Sequence, residues 1–278
     1  MILAFDLDGT LLDENQRIPD STIKLLKELQ KKGMQIAVAT GRSYSACKYY
    51  AKLINADYVV ACNGALIVDG SDDRILHKKP IPKETAEEVL SLLYAHGDKL
   101  KIQWDSFETY YTNSILPFEQ EYVDAFLRHY PDEIFSMEVV DSLAKWEYLR
   151  MKKAHKEIYQ IFTFSMVKPP EEYEQVLAKL DCYEDIQYVD FKKSYTDVTH
   201  KNVSKGKALK FLAKKHDYTH EHVMAFGDQY NDVSMLSYAG ISVAMGNADE
   251  SIKDIAKHVT SSNKEGGVES FLIDFFKV

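Results

Sequence analysis

Cysteine is scarce in this chain, which has only Cys47, Cys62 and Cys182 in 278 residues. An odd, widely spaced set excludes a disulfide framework and offers no zinc-ligand spacing. Positive charge is also in short supply. Lys and Arg number 34 against 43 Asp and Glu, a formal net charge of −9. Nucleic acid is therefore not an expected partner, because affinity for phosphate backbones rests on a basic surface. Any anionic ligand has to be held locally, by backbone N–H groups, a single lysine or a metal ion. No apolar run approaches bilayer-spanning length, so no membrane partner is expected. The start, Met1-Ile2-Leu3-Ala4-Phe5-Asp6, lacks a basic leader and meets a carboxylate at once, which does not read as a signal peptide. These shortages lead us to expect a protein of the reducing cytoplasm, with no obligate protein partner implied.

What is present is a globular balance, 45% apolar and 28% charged residues, which excludes a disordered or collagen-like chain. At roughly 150 residues per domain, one large or two moderate domains are expected. Residues 2–5 form an uninterrupted apolar run that ends in Asp6, and residues 21–31 carry a helical stripe of Ile23, Leu25, Leu26 and Leu29 before the stop at Gly33. Further apolar runs lie at 36–39 and 58–62, then again near the C-terminal end at 223–226 and 241–244, with helical stretches at 208–214 and 233–239. Strands apolar on both faces and separated by helices predict a parallel sheet covered on both sides. The middle reads differently. Helical stretches at 84–94 and 171–180 mix with aromatic-rich strand candidates at 107–112, 158–164 and 187–191, punctuated by Pro80, Pro82 and Pro169-Pro170. The expected fold is an α/β, Rossmann-like parallel-sheet core from residues 1–80 and 191–278, with an α+β domain inserted at residues 81–190.

The strongest chemical signal is Asp6-Leu7-Asp8-Gly9-Thr10, directly after the first strand. Side chains at i and i+2 of extended chain point the same way, so both carboxylates can converge beyond the strand's carboxyl end, where ligands bind in open α/β sheets. Two close carboxylates repel, and a divalent cation with a taste for hard oxygen ligands relieves this. A solvated polar turn explains the same residues, whereas Leu11 and Leu12 break the pattern of a calcium loop. Thr40-Gly41-Arg42 follows the second strand and opens a helix, which makes either a phosphate cradle or an ordinary Thr cap. Ser204-Lys205-Gly206 also opens a helix. Its lysine works against the macrodipole unless an anion compensates, or else it is simply solvated. Gly227-Asp228-Gln229-Tyr230-Asn231-Asp232 places further acids after a buried strand, where they are costly to desolvate without a partner such as a shared cation.

In this order the four segments resemble the four motifs of the haloacid dehalogenase superfamily. Asn63-Gly64-Ala65 and Ala244-Met245-Gly246-Asn247-Ala248 further resemble its Cof-type branch, subclass IIB, in which an α/β cap is inserted between the second and third motifs. One departure is Gly266, where the branch usually has Asp. The resemblance implies a phosphatase acting on small phosphomonoesters (a sugar phosphate, nucleotide or cofactor phosphate) through an aspartyl-phosphate. It implies Asp6 as nucleophile and Asp8 as acid and base. Mg²⁺ would be held by Asp6, the backbone carbonyl of Asp8 and Asp228, with Asp232 orienting from outside. The phosphate oxygens would meet Thr40, Gly41, Lys205, the Leu7 N–H and Asn231. The cap would set specificity. A phosphotransferase or sugar phosphomutase is the nearest alternative, and a phospho-aspartate receiver is a more distant one.

Weaker signals have plainer readings. His216, His220 and His222 form a loose cluster without an orienting partner for a metal. Trp104, Phe107, Tyr110 and Tyr111 form either a substrate wall or cap core. Cys47 and Cys62 read as small buried hydrophobes. Asn63 lines a cleft or simply forms a turn before Gly64.

Overall fold

The computed structural model describes the chain except residues 108, 130–135, 154, 168–170 and 191–194. Pro169-Pro170 and Phe191 therefore lie outside the described residues. The chain divides into two compact units, Met1–Lys78 with Val203–Val278, and Lys79–Asn202. Among the described residues no helix is long and apolar enough to cross a membrane.

The first unit is a Rossmann-like α/β sheet. Its first five strands are β1 (Ile2–Phe5), β2 (Gln35–Ala39), β3 (Tyr58–Ala61), β4 (Leu66–Asp69) and β5 (Ile75–Lys78). The helices α1 (Asp20–Lys31) and α2 (Tyr44–Leu53) intervene. After the insertion the same sheet is completed by β12 (Val223–Gly227), β13 (Ile241–Ala244) and β14 (His258–Val259). These alternate with α7 (Lys205–Lys215), α8 (Val233–Tyr238), α9 (Glu250–Lys253) and α10 (Gly267–Phe276). The order is β14-β13-β12-β1-β2-β3-β4-β5, parallel as far as β3 and closed by the antiparallel strands β4 and β5. Every side chain of β1 is buried because both faces of the sheet are covered. Ile2 and Ala4 belong to the cluster built with Leu209 and Leu212 of α7 and Leu236 of α8. On β1, Phe5 stacks on Phe226 at 5.0 Å, which in turn meets Phe271 of α10 edge-on. The fully buried Phe5 and Phe226 side chains contribute about 1.5–3 kcal/mol each. The central pairing joins the two ends of the sequence, since β1 lies between β12 and β2.

The second unit carries a six-stranded sheet in the order β10-β11-β9-β6-β7-β8. Its strands are β6 (Leu100–Asp105), β7 (Tyr110–Thr112), β8 (Met137–Val139), β9 (Gln160–Ser165), β10 (Ile186–Asp190) and β11 (Thr196–His200). The helices are α3 (Lys83–Tyr94), α4 (Pro117–His129), α5 (Leu143–Met151) and α6 (Glu171–Leu180). Alternation on β6 sends Leu100, Ile102 and Trp104 into a core with Val89, Leu93, Trp146 and Val176. Trp104 and Tyr111 stack there at 3.7 Å, so both serve as core. Two sequence expectations shift. The strand expected over 107–112 is confined to Tyr110–Thr112, because Ser106 N–H bonds to Thr109 O (3.0 Å) and closes a turn. The return to the core, expected at residue 191, falls at Val203, because β11 pairs antiparallel with β10 and β9 and so completes the inserted sheet.

Candidate active site

The acids of the first and fourth motif segments meet at the carboxyl ends of β1 and β12. Asp6 follows β1 and donates its backbone N–H to Phe226 O (3.1 Å), which fixes the strand end. Asp6, Asp228 and Asp232 are all buried, and each offers a carboxylate oxygen within 4.8 Å of the others. Lys205, the first residue of α7, reaches the same point. Its Nζ donates to Asp6 Oδ1 (2.7 Å) and Asp232 Oδ1 (2.6 Å), and the side chain is 0% exposed. The other Asp232 oxygen accepts the N–H groups of Asp228 and Gln229, both at 2.9 Å. Asp232 is thereby engaged on both oxygens. Asp228 accepts from Thr10 Oγ1 (3.2 Å) and Asn247 Nδ2 (3.2 Å). It also presses on Gly9, where a Cβ would stand 2.2 Å from Asp228 Oδ2 and where φ is +77°. Only glycine suits both the close approach and the turn.

Charge in this cluster does not balance. Burial, with Asp232, Asp228 and Asp8 adding to it, holds the Asp6 carboxyl well above the usual range against the pull of Lys205. Burial and then Asp232 push Asp228 up to about 7. Burial would lower the Lys205 ammonium, but Asp232 and Asp6 outweigh it and hold the group above its ordinary value. Three carboxylates share one ammonium, leaving two negative charges uncompensated if all ionise. Hard, closely spaced oxygen donors short of positive charge fit a divalent cation such as Mg²⁺.

Asp8 takes a different position. Its side chain is 49% exposed and pairs with Arg42, which donates from Nε to Oδ2 (2.8 Å) and from Nη2 to Oδ1 (2.5 Å). Gln16 Oε1 accepts from Arg42 Nη2 (2.5 Å), and the guanidinium lies 5.2 Å from the centre of the Tyr50 ring. The carboxylate of Asp8 thus stands outside the buried acid group of Asp6, Asp228 and Asp232 and is engaged by Arg42 instead. Leu7 is buried and begins the Leu7–Leu11 turn directly after Asp6. Thr40 is buried at the end of β2 and accepts the Arg42 N–H on Oγ1 (3.1 Å), which leaves its own O–H as a donor. It does not cap α2, whose N-cap is Ser43 with Oγ accepting from Ala46 N–H. Over Gly41 lie two amides. A Cβ there would sit 3.3 Å from both Asn231 Nδ2 and Asn63 Oδ1.

The sequence singled out neither the Arg42 clasp on Asp8 nor the contacts of Thr10 and Asn247 on Asp228. All three residues lie inside the segments that carry the motifs, so the signal was present without its geometry. Gly266 caps α10 at φ +71°, and among the described residues nothing lies within 4 Å of where a side chain would begin. The departure falls at an open position.

A parallel sheet with an acid-and-lysine site at its carboxyl edge, interrupted by a second α+β unit, defines a class of α/β hydrolase. The haloacid dehalogenase-like hydrolase family matches residues 3–272, and the chain belongs to it, in the Cof-type, subclass IIB phosphatase branch. Phosphatase YwpJ of Bacillus subtilis is 32% identical over 96% of this chain and 96% of its own length. The 5-amino-6-(5-phospho-D-ribitylamino)uracil phosphatase YcsE of the same organism is 26% identical over 96% of this chain and 92% of its own length. Among solved structures, the subclass IIB sugar phosphatase BT4131 superposes with a TM-score of 0.75 and 26% identity, covering 100% of this chain and 99% of that one.

Proposed function

We propose that the protein is a magnesium-dependent phosphatase that hydrolyses small phosphomonoesters through an aspartyl-phosphate on Asp6. The observation that carries this reading is the Asp6 carboxylate held 2.7 Å from a fully buried lysine, with two more acids within 4.8 Å. A carboxylate cannot approach a phosphate dianion unless charge is neutralised, and phosphoryl transfer depends mainly on positioning and electrostatics. Asp6 and Asp228, with the Asp8 carbonyl, would hold Mg²⁺, and Asp232 would orient Lys205 and the loop of Asp228. Bound there, the ion would supply Lewis-acid neutralisation of the phosphate.

The residues of the chain divide the remaining work. An Asp6 oxygen attacks phosphorus while the bond to the ester oxygen breaks, and Asp8 gives its proton to the departing alcohol. Asp8, now a carboxylate, takes a proton from water as that water attacks phosphorus, the bond to Asp6 breaks, and inorganic phosphate leaves. One acid/base group serves both displacements. Lys205, Thr40, the Leu7 and Gly41 N–H groups and Asn231 hold the phosphate oxygens throughout. Substrate choice is assigned to the inserted unit, and sugar phosphates, nucleotides and cofactor phosphates are the candidate classes. A relative that acts on a phosphoribityl compound and another named for sugar phosphates support small phosphorylated metabolites. No nucleic acid, membrane or obligate protein partner enters this reading, and the setting proposed is the cytoplasm.

A panel of phosphate esters assayed with Mg²⁺ and with EDTA tests the reaction. Asp6→Asn is expected to lose at least about a thousandfold in turnover while retaining its circular dichroism spectrum. A folded Asp6→Asn protein with undiminished hydrolysis would overturn the nucleophile.

A further inference from the structure

We infer that Asn63 is a positioning residue of the phosphate site, orienting the Asn231 amide from a turn that locks three phosphate-binding segments together. The inference rests on the phosphatase reading above and adds a residue to it. The turn Cys62–Gly64 runs through three successive left-handed residues, Cys62 at φ 50°, Asn63 at φ 55° and Gly64 at φ 99°. That conformation is easy for glycine, tolerated by asparagine and costly for cysteine, so surrounding contacts must impose it.

Those contacts all lead to the candidate site. Cys62 N–H donates to Arg42 O (2.8 Å) and Asn63 N–H to Thr40 O (3.0 Å), which ties the turn to the second motif segment. At Gly64 a Cβ would stand 2.5 Å from Ser204 O and 3.3 Å from the Ala208 Cβ. The turn therefore lies against the first turn of α7, where Lys205 begins. The Asn63 side chain completes the set by accepting from Asn231 Nδ2 at 2.9 Å.

That last bond decides which end of Asn231 faces an anion. An amide presents either two N–H donors or an acceptor oxygen, and only the donor end attracts phosphate. Asn63 Oδ1 takes one N–H of Asn231 and leaves the second for a phosphate oxygen. Among the described residues Asn231 Oδ1 is buried without a hydrogen-bond partner, so none of them fixes the orientation at that oxygen. Both amides lie over Gly41, whose lack of a side chain leaves them that space. Remove the Asn63 carbonyl and the Asn231 amide loses the contact that keeps its donors turned inward.

Asn63→Gly isolates the side chain, because glycine keeps the left-handed backbone. The variant is expected to melt close to wild type, while its inhibition constant for inorganic phosphate rises and kcat/KM falls, each about tenfold. Asn231→Ala is expected to lose a similar amount, and the double variant no more than Asn231→Ala alone, since Asn63 acts through Asn231. Wild-type constants in Asn63→Gly, or losses that multiply in the double variant, would overturn the inference. An independent readout is the pair of Asn231 side-chain amide proton resonances. They are expected to shift on titration with orthophosphate in wild type and to shift much less in Asn63→Gly. Equal shifts in both proteins count against Asn63, whereas a wild-type protein that hydrolyses no ester in the panel counts against the phosphatase reading instead.

Discussion

Two parallel hydrogen bonds fasten the Arg42 guanidinium to Asp8, and Gln16 together with the Tyr50 ring holds that guanidinium from behind. A planar fork is what such a pair requires, and a lysine cannot reproduce it. If Asp8 is the acid, Arg42 sets where its proton is delivered, and leaving groups that need the proton should register the loss. We predict that Arg42→Lys lowers kcat at least about tenfold on an alkyl phosphate and far less on p-nitrophenyl phosphate, whose anion departs unaided. Equal losses on the two substrates would show that Arg42 does not act through Asp8. Gln16→Ala should show the same bias, more weakly. Only part of this was legible in the sequence. The acids stood out because buried strands run directly into them. That Asp8 would turn away from Asp6 could not be read, because spacing i and i+2 assumes extended chain. That extension ends at Leu7, where the Leu7–Leu11 turn begins directly after the extended Asp6.

At the scale of the element, α7 is docked at its far end by His216, the residue that follows its last turn. Its Nε2 faces the Tyr58 hydroxyl (2.6 Å) and Gln35 Nε2 (3.3 Å), so it serves as acceptor for two donors from β3 and β2. Burial, then Lys215 and the N-terminal ammonium, hold its pKa below the ordinary 6.5, against opposing pulls from Asp57 and Asp217. The folded protein thus favours neutral imidazole, and below the ordinary value the unfolded chain binds more protons than the folded one. This contribution is complete above pH about 6.5 and is lost as pH falls from there toward the lowered folded value. Urea unfolding at pH about 7.5 and about 5.5 should show wild type losing more stability on acidification than His216→Gln. Identical losses would remove His216 as the cause. The elements themselves were unevenly legible. β1, β2, β3, β12 and β13 announce themselves because strands buried on both faces read as continuous apolar runs. β11, Thr196-Asp197-Val198-Thr199-His200, hides because it carries one large apolar residue among polar ones, and its buried hydroxyls give no hydropathy signal. That silence is what placed the expected domain boundary too early.

At the scale of the whole molecule the chain divides into two compact units, and the first contains every residue of the candidate site. Trp146, fully buried among Trp104, Tyr94 and His155, anchors the core of the inserted unit. Trp146→Ala should cost that unit about 3–5 kcal/mol, read as faster hydrogen exchange in β6 and β9. The first unit has the opposite liability. Its sheet is closed by pairing β1 with β12, and at the ends of those strands it buries three acids against one lysine. Repulsion there opposes the pairing that joins the two ends of the sequence. A ligand that binds only the folded arrangement stabilises it by mass action, by about 2.7 kcal/mol at a hundred times its dissociation constant. Saturating Mg²⁺ should therefore slow hydrogen exchange in β1 and β12 and raise the melting temperature of the first unit. In Asp228→Asn one negative charge is gone, so the repulsion is smaller from the start and the response to Mg²⁺ should be largely lost. A wild-type protein whose β1 and β12 exchange identically in Mg²⁺ and in EDTA would mean that no cation bridges the two strands. The acid group would then have to be read as a protonated hydrogen-bonded cluster.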